Sequence, residues 1–294
     1  MLSCPELLSP AGSLEALKYA VMYGADAVYC ALPRFGMRAA PVNLTIGELH
    51  DGCIFAHARG KKVYLTLNNL PTNDELSELP QYIKDAAEAG VDAFIIADLG
   101  VLSLAKQYAP DVDVHFSTQA GITNYAAATM AYNLGAKRVV LARELTLTDI
   151  AQIRDNTPPE LELEAFVHGA MCMSVSGRCL LSSYMTGRSG NRGMCAQPCR
   201  MQYSLGGRMD DYPMSLKDNC LVDRLRELED AGVACLKIEG RMKRPEHTAI
   251  VTKIYSKALK EHRQPSDEEM ETLEKAFSRQ GFTQGYFNGD KKDM

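Results

Sequence analysis

The segment AGVDAFIIA, residues 89–97, decides the fold class of this chain. A glycine that ends a helical stretch is followed, two residues later, by a continuous apolar run. Glycine adopts the positive φ of a helix C-terminus at little cost, and unbroken apolar runs are typical of parallel strands buried on both faces. The same pattern recurs at residues 23–30, 59–67, 134–142 and 231–239.

Three further apolar runs, at residues 6–9, 112–116 and 161–167, bring the number of predicted strands to eight. Amphipathic segments between them predict eight helices, at residues 13–23, 45–59, 73–89, 100–108, 124–134, 146–155, 217–231 and 245–262. Eight alternations of strand and helix indicate a (β/α)8 barrel over residues 1–265. A doubly wound open sheet is the alternative, but the glycine fingerprint of a dinucleotide-binding fold is missing. Residues 266–294 are predicted to form a C-terminal helix and tail.

The composition is that of a soluble globular protein, with 46% hydrophobic and 23% charged residues among 294. The net charge of -5 excludes a globally basic nucleic-acid binder, although a local basic patch remains compatible with it. No apolar run approaches the length of a membrane span, and no secretory signal is visible, so we expect a cytoplasmic protein.

One connection breaks the strand–helix alternation. We name residues 169–215, which follow the seventh predicted strand, the Cys-rich insertion. Four of the nine cysteines lie there with the spacing C-x6-C-x15-C-x3-C, namely Cys172, Cys179, Cys195 and Cys199. An iron–sulfur cluster accepts four cysteines at irregular spacing, whereas zinc prefers closer pairs. An iron–sulfur cluster, a zinc site and four separate buried thiols are all open at this point, and Cys220 is an alternative fourth ligand.

The same region is one-sided in charge. From residue 165 to residue 209 the chain has no Asp or Glu but five arginines, namely Arg178, Arg188, Arg192, Arg200 and Arg208. Arginine suits phosphate and carboxylate, so the pattern predicts an RNA backbone or a small acidic metabolite as partner. Tyr184 and Tyr203 are candidate base-stacking residues. Balancing of thiolate charge is the alternative explanation for the arginines.

Active sites of barrels lie where the strands end. The predicted strand ends supply the candidate catalytic residues Asn68, Gln119, Arg143, His168, Lys237 and Glu239, with Arg241 as an anion-binding candidate. Together these side chains indicate a ligand pocket. The sequence lacks the HExxH, GxSxG and Walker A motifs, and no protease constellation is recognised.

Four segments resemble peptidase family U32: ELLSPAGSLEALKYAVMYGADAVY (6–29), STQAGITN (117–124), VHGAMCMSVSGRCLLSSYMTGRSGNRGMCAQPCR (167–200) and LKIEGRMKRPEH (236–247). The resemblance runs from residue 6 to about residue 286. It implies oxygen-independent hydroxylation of a tRNA wobble uridine or a ribosomal RNA cytidine, in one branch with prephenate. It also implies a 4Fe–4S cluster on Cys172, Cys179 and Cys195, with Cys199 in the fourth place.

The family name implies a second activity, collagenase-like proteolysis. A further C-terminal domain is common in the family, so we expect this chain to be an N-terminal catalytic part. The resulting expectation is an iron–sulfur RNA hydroxylase. The alternatives are a peptidase and a zinc-containing RNA-binding module.

Overall fold

The glycine-to-strand pattern is built as expected in the computed structural model, which describes residues 4–37, 43–210, 212–290, 292 and 294. Positive φ angles occur at all five glycines of the pattern, namely Gly24, Gly60, Gly90, Gly135 and Gly232. The predicted barrel and tail both contain a few positions outside the described residues, and the division at residue 265 stays a prediction.

Seven strands alternate with helices in the first part of the chain. The strands are β1 (Glu6–Pro10), β2 (Ala27–Cys30), β3 (Lys62–Leu67), β4 (Ala93–Ile96), β5 (Asp113–Phe116), β6 (Arg138–Val140) and β7 (Glu162–Ala170). The helices are α1 (Leu14–Met22), α2 (Ile46–His57), α3 (Asn73–Leu76), α4 (Leu79–Glu88), α5 (Leu99–Tyr108), α6 (Tyr125–Asn133) and α7 (Leu147–Asp155).

The Cys-rich insertion has short elements of its own. They are α8 (Leu181–Thr186) and the antiparallel hairpin β8 (Tyr203–Leu205) and β9 (Arg208–Asp210). The chain then continues through β10 (Asp218–Cys220), α9 (Leu225–Asp230), β11 (Cys235–Ile238), α10 (Pro245–Lys260), α11 (Asp267–Ala276), β12 (Phe282–Thr283) and α12 (Gly285–Asn288).

The sheet closes on itself. Strands β1 to β7 pair in order and in parallel, and β11 pairs in parallel with both β1 and β7. In the register, Cys235 faces Glu6 on one side and Glu164 on the other. This is the predicted (β/α)8 barrel. Tyr29, Tyr64 and Ile95 belong to the small apolar cluster inside it, whereas the larger core lies between the strands and the helices.

Two predicted helices differ from the structure. The helix expected at residues 217–231 begins only at Leu225, because Asp218–Cys220 form β10, antiparallel to the end of β7. Backbone pairing with a distant strand therefore overrides the local preference. The helix expected at residues 73–89 is divided into α3 and α4, and Pro80 lies in the first turn of α4. Proline has no N–H to continue a preceding helix.

None of the helices in the described ranges combines the length and the apolar character that crossing a membrane requires.

Candidate active site at the barrel mouth

The lower half of the barrel is closed by buried ion pairs. Arg138 contacts Glu6 at 2.8 Å, Glu162 at 2.6 Å and Glu164 at 3.4 Å, and the Tyr64 hydroxyl donates to Glu6 at 2.9 Å. These groups occupy one end of the barrel interior, and ligands of parallel barrels bind at the opposite end, where the strands finish. We call that end the barrel mouth.

His115 is buried beside this ionic layer, with its ring 4.8 Å from that of Tyr64. Burial, followed by the positive charges of Arg138 and Lys237, holds the pKa of His115 well below its ordinary value. Its Nδ1 has no hydrogen-bond partner in the described part of the chain. The ring is therefore neutral at pH 7.

Lys237 lies one layer above, between the ionic layer and the mouth. Its Nζ is 2.7 Å from Glu164 and lies over the ring of Tyr29, 4.5 Å from the centroid. Burial by itself would raise the pKa of Glu164, but the charges of Lys237 and Arg138 bring it below the ordinary value. The pair is therefore ionised, and Lys237 is fixed with its ammonium group inside the barrel.

Arg143 and Arg241 bring two more positive charges to the mouth. The Arg143 guanidinium stacks on Phe166 at 4.0 Å and donates to the Ala170 carbonyl at 2.8 Å, while its buried Nε has no partner among the described residues. Arg241 is buried and donates to Thr66 Oγ1 at 2.8 Å.

Two negative charges, of Glu239 and Glu164, and two positive charges, of Arg241 and Arg143, act on the Tyr29 hydroxyl. Burial raises the pKa of Tyr29 and Glu239 raises it further, while Arg241 and Arg143 oppose the change. Lys237 Nζ thus lies over the Tyr29 ring, and the charges of Arg143, Arg241 and Glu239 are near enough to act on the Tyr29 hydroxyl.

Asn68 and Gln119 hold the rim in place. Asn68 donates to Ser117 Oγ at 3.1 Å and accepts from the Met37 N–H at 3.2 Å, so it joins the ends of β3 and β5. Gln119 packs against Gly177 of the insertion, and its carbonyl accepts from Arg178. Both residues are thus at the mouth, where they hold neighbouring protein segments in place.

His168 does not face the mouth. It is 1% exposed, its Nδ1 is 3.2 Å from the Tyr255 hydroxyl of α10, and its ring lies near His247 and Phe282. Its side chain therefore lies on the outer, helix-covered side of the wall. A catalytic role for His168 stays a prediction, and this position gives it no support.

Hydrogen bonds inside the insertion connect the chain segments that carry the four candidate cysteines. Arg200, next to Cys199, donates to the carbonyl of Met171, which precedes Cys172. The N–H of Ala196, next to Cys195, donates to Ser182 Oγ of α8 at 2.9 Å. A Cβ on Gly190 would lie 3.7 Å from the Cys179 carbonyl and 4.0 Å from Cys195 Sγ.

The surroundings favour the negatively charged form of the Cys179 thiol and disfavour that of the Cys199 thiol. Burial alone would raise the pKa of Cys179, but hydrogen bonds from Ser174 and from the N–H groups that begin α8 lower it. Cys195 Sγ accepts from the Gln197 N–H at 3.4 Å. Burial raises the pKa of Cys199, Arg200 lowers it, and the other three thiols raise it again. All four are free, half-buried cysteines.

The donor set fits a thiolate-bound group, since hydrogen bonds to the sulfurs and a nearby cation are what such groups require. As placed, no three His, Cys, Asp or Glu side chains of the described residues are grouped to hold a single metal ion. Cys220 lies elsewhere, buried with its Sγ 3.6 Å from the Tyr255 hydroxyl. The other three thiols act on the pKa of Cys199, whereas Cys220 is packed against α10, so Cys199 stays the preferred prediction for the fourth ligand.

Most of the predicted anion-binding arginines are engaged within the protein. Arg192 forms a two-pronged ion pair with Glu75 at 2.9 and 3.1 Å. Arg178 donates to the carbonyls of Gln119 and Ala120, and Arg200 to carbonyls and to Ser215. Arg188 is exposed and has no side-chain partner among the described residues. The side chain of Arg208 lies outside the described part of the chain.

Sequence reasoning missed Tyr29, Glu164 and Phe166. All three point into the barrel from β2 and β7, where they contact Lys237. The signal was the alternation in residues 162–166, which places every second side chain inside. Treating that run as uniformly apolar concealed it.

A closed parallel barrel with charged side chains at its carboxyl end is the architecture of an enzyme. A family model described as peptidase family U32 matches residues 12–294, and the chain belongs to that family. A solved structure of a U32 peptidase has the same fold, with a TM-score of 0.56, 17% identity, and coverage of 80% of this chain and 93% of that one.

Curated relatives carry names of two kinds. A tRNA hydroxylation protein of Bacillus subtilis is 40% identical over 267 residues, covering 87% of this chain and 63% of the relative. An uncharacterized protease of Methanocaldococcus jannaschii is 43% identical over 272 residues, covering 88% and 66%. A 23S rRNA 5-hydroxycytidine synthase of Escherichia coli is 40% identical over 260 residues, covering 86% and 39%. The chain thus spans less than two thirds of the length of each.

Proposed function

We propose that this chain is the catalytic part of an iron–sulfur-dependent enzyme that hydroxylates RNA. The feature that supports the proposal is the presence of four free, half-buried cysteines in an insertion that packs on the barrel mouth. The insertion contacts the mouth through Arg178, which donates to Gln119 and Ala120, and through Ser176, which donates to Glu144. The names of the relatives in tRNA and rRNA hydroxylation support RNA as the substrate.

Cys172, Cys179, Cys195 and Cys199 would hold a 4Fe–4S cluster. When bound, the cluster supplies one-electron redox chemistry. The backbone N–H groups that donate to the sulfurs of Cys179 and Cys195, together with the positive charge of Arg200, would offset the negative charge of the cluster. A structural zinc ion is the alternative group for the same thiols, and metal analysis separates the two.

The charges at the mouth suit a small acidic co-substrate. Arg143 offers an unpaired Nε, and Arg241 and Lys237 add positive charge around Tyr29. Guanidinium and ammonium groups bind carboxylates, so we assign these residues to the carboxylates of a hydroxyl donor, with prephenate as the candidate. Glu239 is the carboxylate at the same position and would accept a hydrogen bond from the donor.

The target base must reach this mouth without a paired partner. Sequence-specific recognition of RNA is directed mainly at unpaired loops, where a base is exposed at least cost. A tRNA wobble uridine and a ribosomal RNA cytidine in a loop both meet this condition.

Anaerobic purification tests the cofactor. We expect brown protein with about four irons per chain, as a 4Fe–4S cluster requires. Cys179→Ser should lose most of the iron, while Cys220→Ser, at a cysteine outside the group, should retain it. Zinc in place of iron, or equal iron in both variants, would contradict the assignment.

Mass spectrometry of nucleosides tests the reaction. Deleting the gene should remove a nucleoside heavier than its parent base by about 16 Da, the mass of one oxygen atom, from tRNA or rRNA. Complementation with the wild-type gene should restore it, and Cys179→Ser should not. Unchanged nucleosides in both RNA classes would end the hydroxylase proposal.

Collagenase-like proteolysis is the second candidate, and the protease name of the M. jannaschii relative is the finding that favours it. It predicts cleavage of gelatin by the pure protein, lost in Glu239→Gln. Cleavage with no change in nucleosides would replace the hydroxylase proposal.

A further inference from the structure

The Cys-rich insertion exposes an unusual amount of apolar surface. Tyr184 is 89% exposed, Leu180 74% and Val175 60%, and several methionines beside them in sequence are more than 40% exposed. Soluble proteins seldom leave large apolar side chains together in water unless the surface binds something. We name Leu180, Tyr184 and Arg188 the α8 face.

The α8 face is held rigidly at its backbone. Gly187 ends α8 in the left-handed conformation with φ 70°. The Ser182 hydroxyl donates to the Arg188 carbonyl at 2.6 Å, and Thr186 accepts from the Arg188 N–H at 3.3 Å. The backbone beneath the two side chains is therefore fixed, while the ring of Tyr184 and the guanidinium of Arg188 extend without partners among the described residues.

The two base-stacking candidates differ in this respect. The Tyr203 hydroxyl donates to the Pro198 carbonyl at 2.8 Å and contacts the Met185 sulfur at 3.6 Å. Tyr184 has no such contact among the described residues and is 89% exposed, so its ring is open to a stacked base.

Charge identifies the kind of partner. Residues 165–209 contain no acidic residue. Arg178 and Arg200 donate to neutral oxygens, so those hydrogen bonds leave their positive charges in place. An exposed aromatic ring within a positive surface is the combination that binds single-stranded nucleic acid.

The helix that carries the α8 face begins beside Cys179, one of the four candidate cysteines. Cys179 accepts hydrogen bonds from the N–H groups of Leu181 and Ser182, which begin α8. Tyr184 follows three residues later, about 5 Å along the helix axis. The backbone of Tyr184 therefore lies within one helical turn of the N–H groups that act on Cys179.

We propose that the α8 face is the RNA contact of this enzyme, with an unpaired base stacked on Tyr184 and a phosphate bound by Arg188. The proposal rests on the proposed function and specifies how its substrate is held.

The test measures the affinity for a fluorescein-labelled RNA hairpin with an unpaired loop, using purified full-length chain. We expect Tyr184→Ala to weaken binding about tenfold or more, as loss of one stacked base does, and Tyr184→Phe to bind like wild type. Arg188→Ala should reduce the salt dependence by about 0.7 in the slope of log affinity against log salt, the value for one phosphate of a single strand.

Matched controls lie away from the insertion. Tyr23→Ala removes a tyrosine that is 41% exposed at the end of α1, and Lys253→Ala removes an exposed cation from α10. Both should bind the hairpin like wild type. Melting temperatures should match across the set, since none of these side chains is buried.

Equal RNA affinity of Tyr184→Ala and wild type would overturn this proposal, whether or not wild type modifies RNA. If Tyr184→Ala instead abolished self-association in gel filtration at unchanged RNA affinity, the face would be a protein interface. The nucleoside assay distinguishes failure of the RNA-contact proposal from failure of the hydroxylase proposal. A tenfold loss with no nucleoside dependent on the gene would leave the RNA contact standing and remove the hydroxylase.

Discussion

The buried histidines behind β7 should make the protein sensitive to mild acid. His168 is 1% exposed and His247 is 7% exposed, and their rings are 6.2 Å apart. Burial, then His247 and Lys243, lowers the pKa of His168 to about 3. Burial, then Lys243, lowers the pKa of His247 to about 4, and Glu239 opposes that shift. The other side chains packed on the pair are Tyr255, Phe277 and Phe282.

The direction of the pH effect on stability follows from the difference in proton binding between the folded and the unfolded chain. An unfolded histidine has a pKa of about 6.5, so below that pH the unfolded chain binds protons that the native protein does not. The stability that the two neutral histidines contribute is fully present above about pH 6.5. It is lost as the pH falls toward their pKa values in the folded protein, about 4 for His247 and about 3 for His168. Below about pH 6.5, each histidine lowers the free energy of unfolding by about 1.4 kcal/mol per pH unit, which amounts to about 2 kcal/mol at pH 5. The pair costs about 4 kcal/mol, a large share of a typical stability of 5–15 kcal/mol.

The assay is urea unfolding under anaerobic conditions at about pH 7 and about pH 5. This window lies above the pH where carboxylates with pKa values near 2, such as Glu75 and Glu269, are protonated. We expect the wild type to lose about 4 kcal/mol, and a variant with glutamine at both positions to lose much less. His50→Gln, at an exposed position, should lose as much as wild type. Equal losses in wild type and the double variant would refute the reasoning.

Three further predictions concern the barrel interior, the attachment of the insertion and a helix start. Lys237→Met leaves buried Glu164 with Arg138, at 3.4 Å, as its remaining ion-pair partner and should lower the free energy of unfolding by about 3 kcal/mol; adding Glu164→Leu should restore most of it in urea unfolding. Arg192→Ala removes the ion pair with Glu75 that ties the insertion to α3, so limited proteolysis within residues 171–200 should become several-fold faster, while the urea midpoint changes little. Thr45→Ala removes the capping box of α2 and should cost about 1 kcal/mol; a loss below measurement error would contradict the cap.

The position of the cysteine group relative to α8 links the two proposals. The helix that provides N–H groups to Cys179 also carries Tyr184. One short element would therefore stabilise the cluster and hold the RNA. Loss of iron in a cysteine variant is then expected to weaken RNA binding as well, because the helix start depends on the sulfur.

The sequence alone determined the barrel. Glycine at each helix end and unbroken apolar runs are local signals, since they depend on backbone preference and on burial of both strand faces. The cysteine spacing and the absence of acidic residues around it also needed no coordinates. These features specify a fold and a chemically distinct insertion.

Only the tertiary structure decided which way the polar side chains point. His168 and Lys237 both lie near strand ends, yet His168 faces α10 and Lys237 faces the barrel interior. A register irregularity between β7 and β11 lies beside Lys237, and such a shift is not encoded in any single strand. The insertion arginines looked equivalent in sequence, but Arg192 pairs with a distant carboxylate and Arg178 with backbone carbonyls, whereas Arg188 is exposed without a side-chain partner in the described part of the chain. Side-chain partners from remote segments make this choice, because a charge is satisfied by whatever the fold brings within reach.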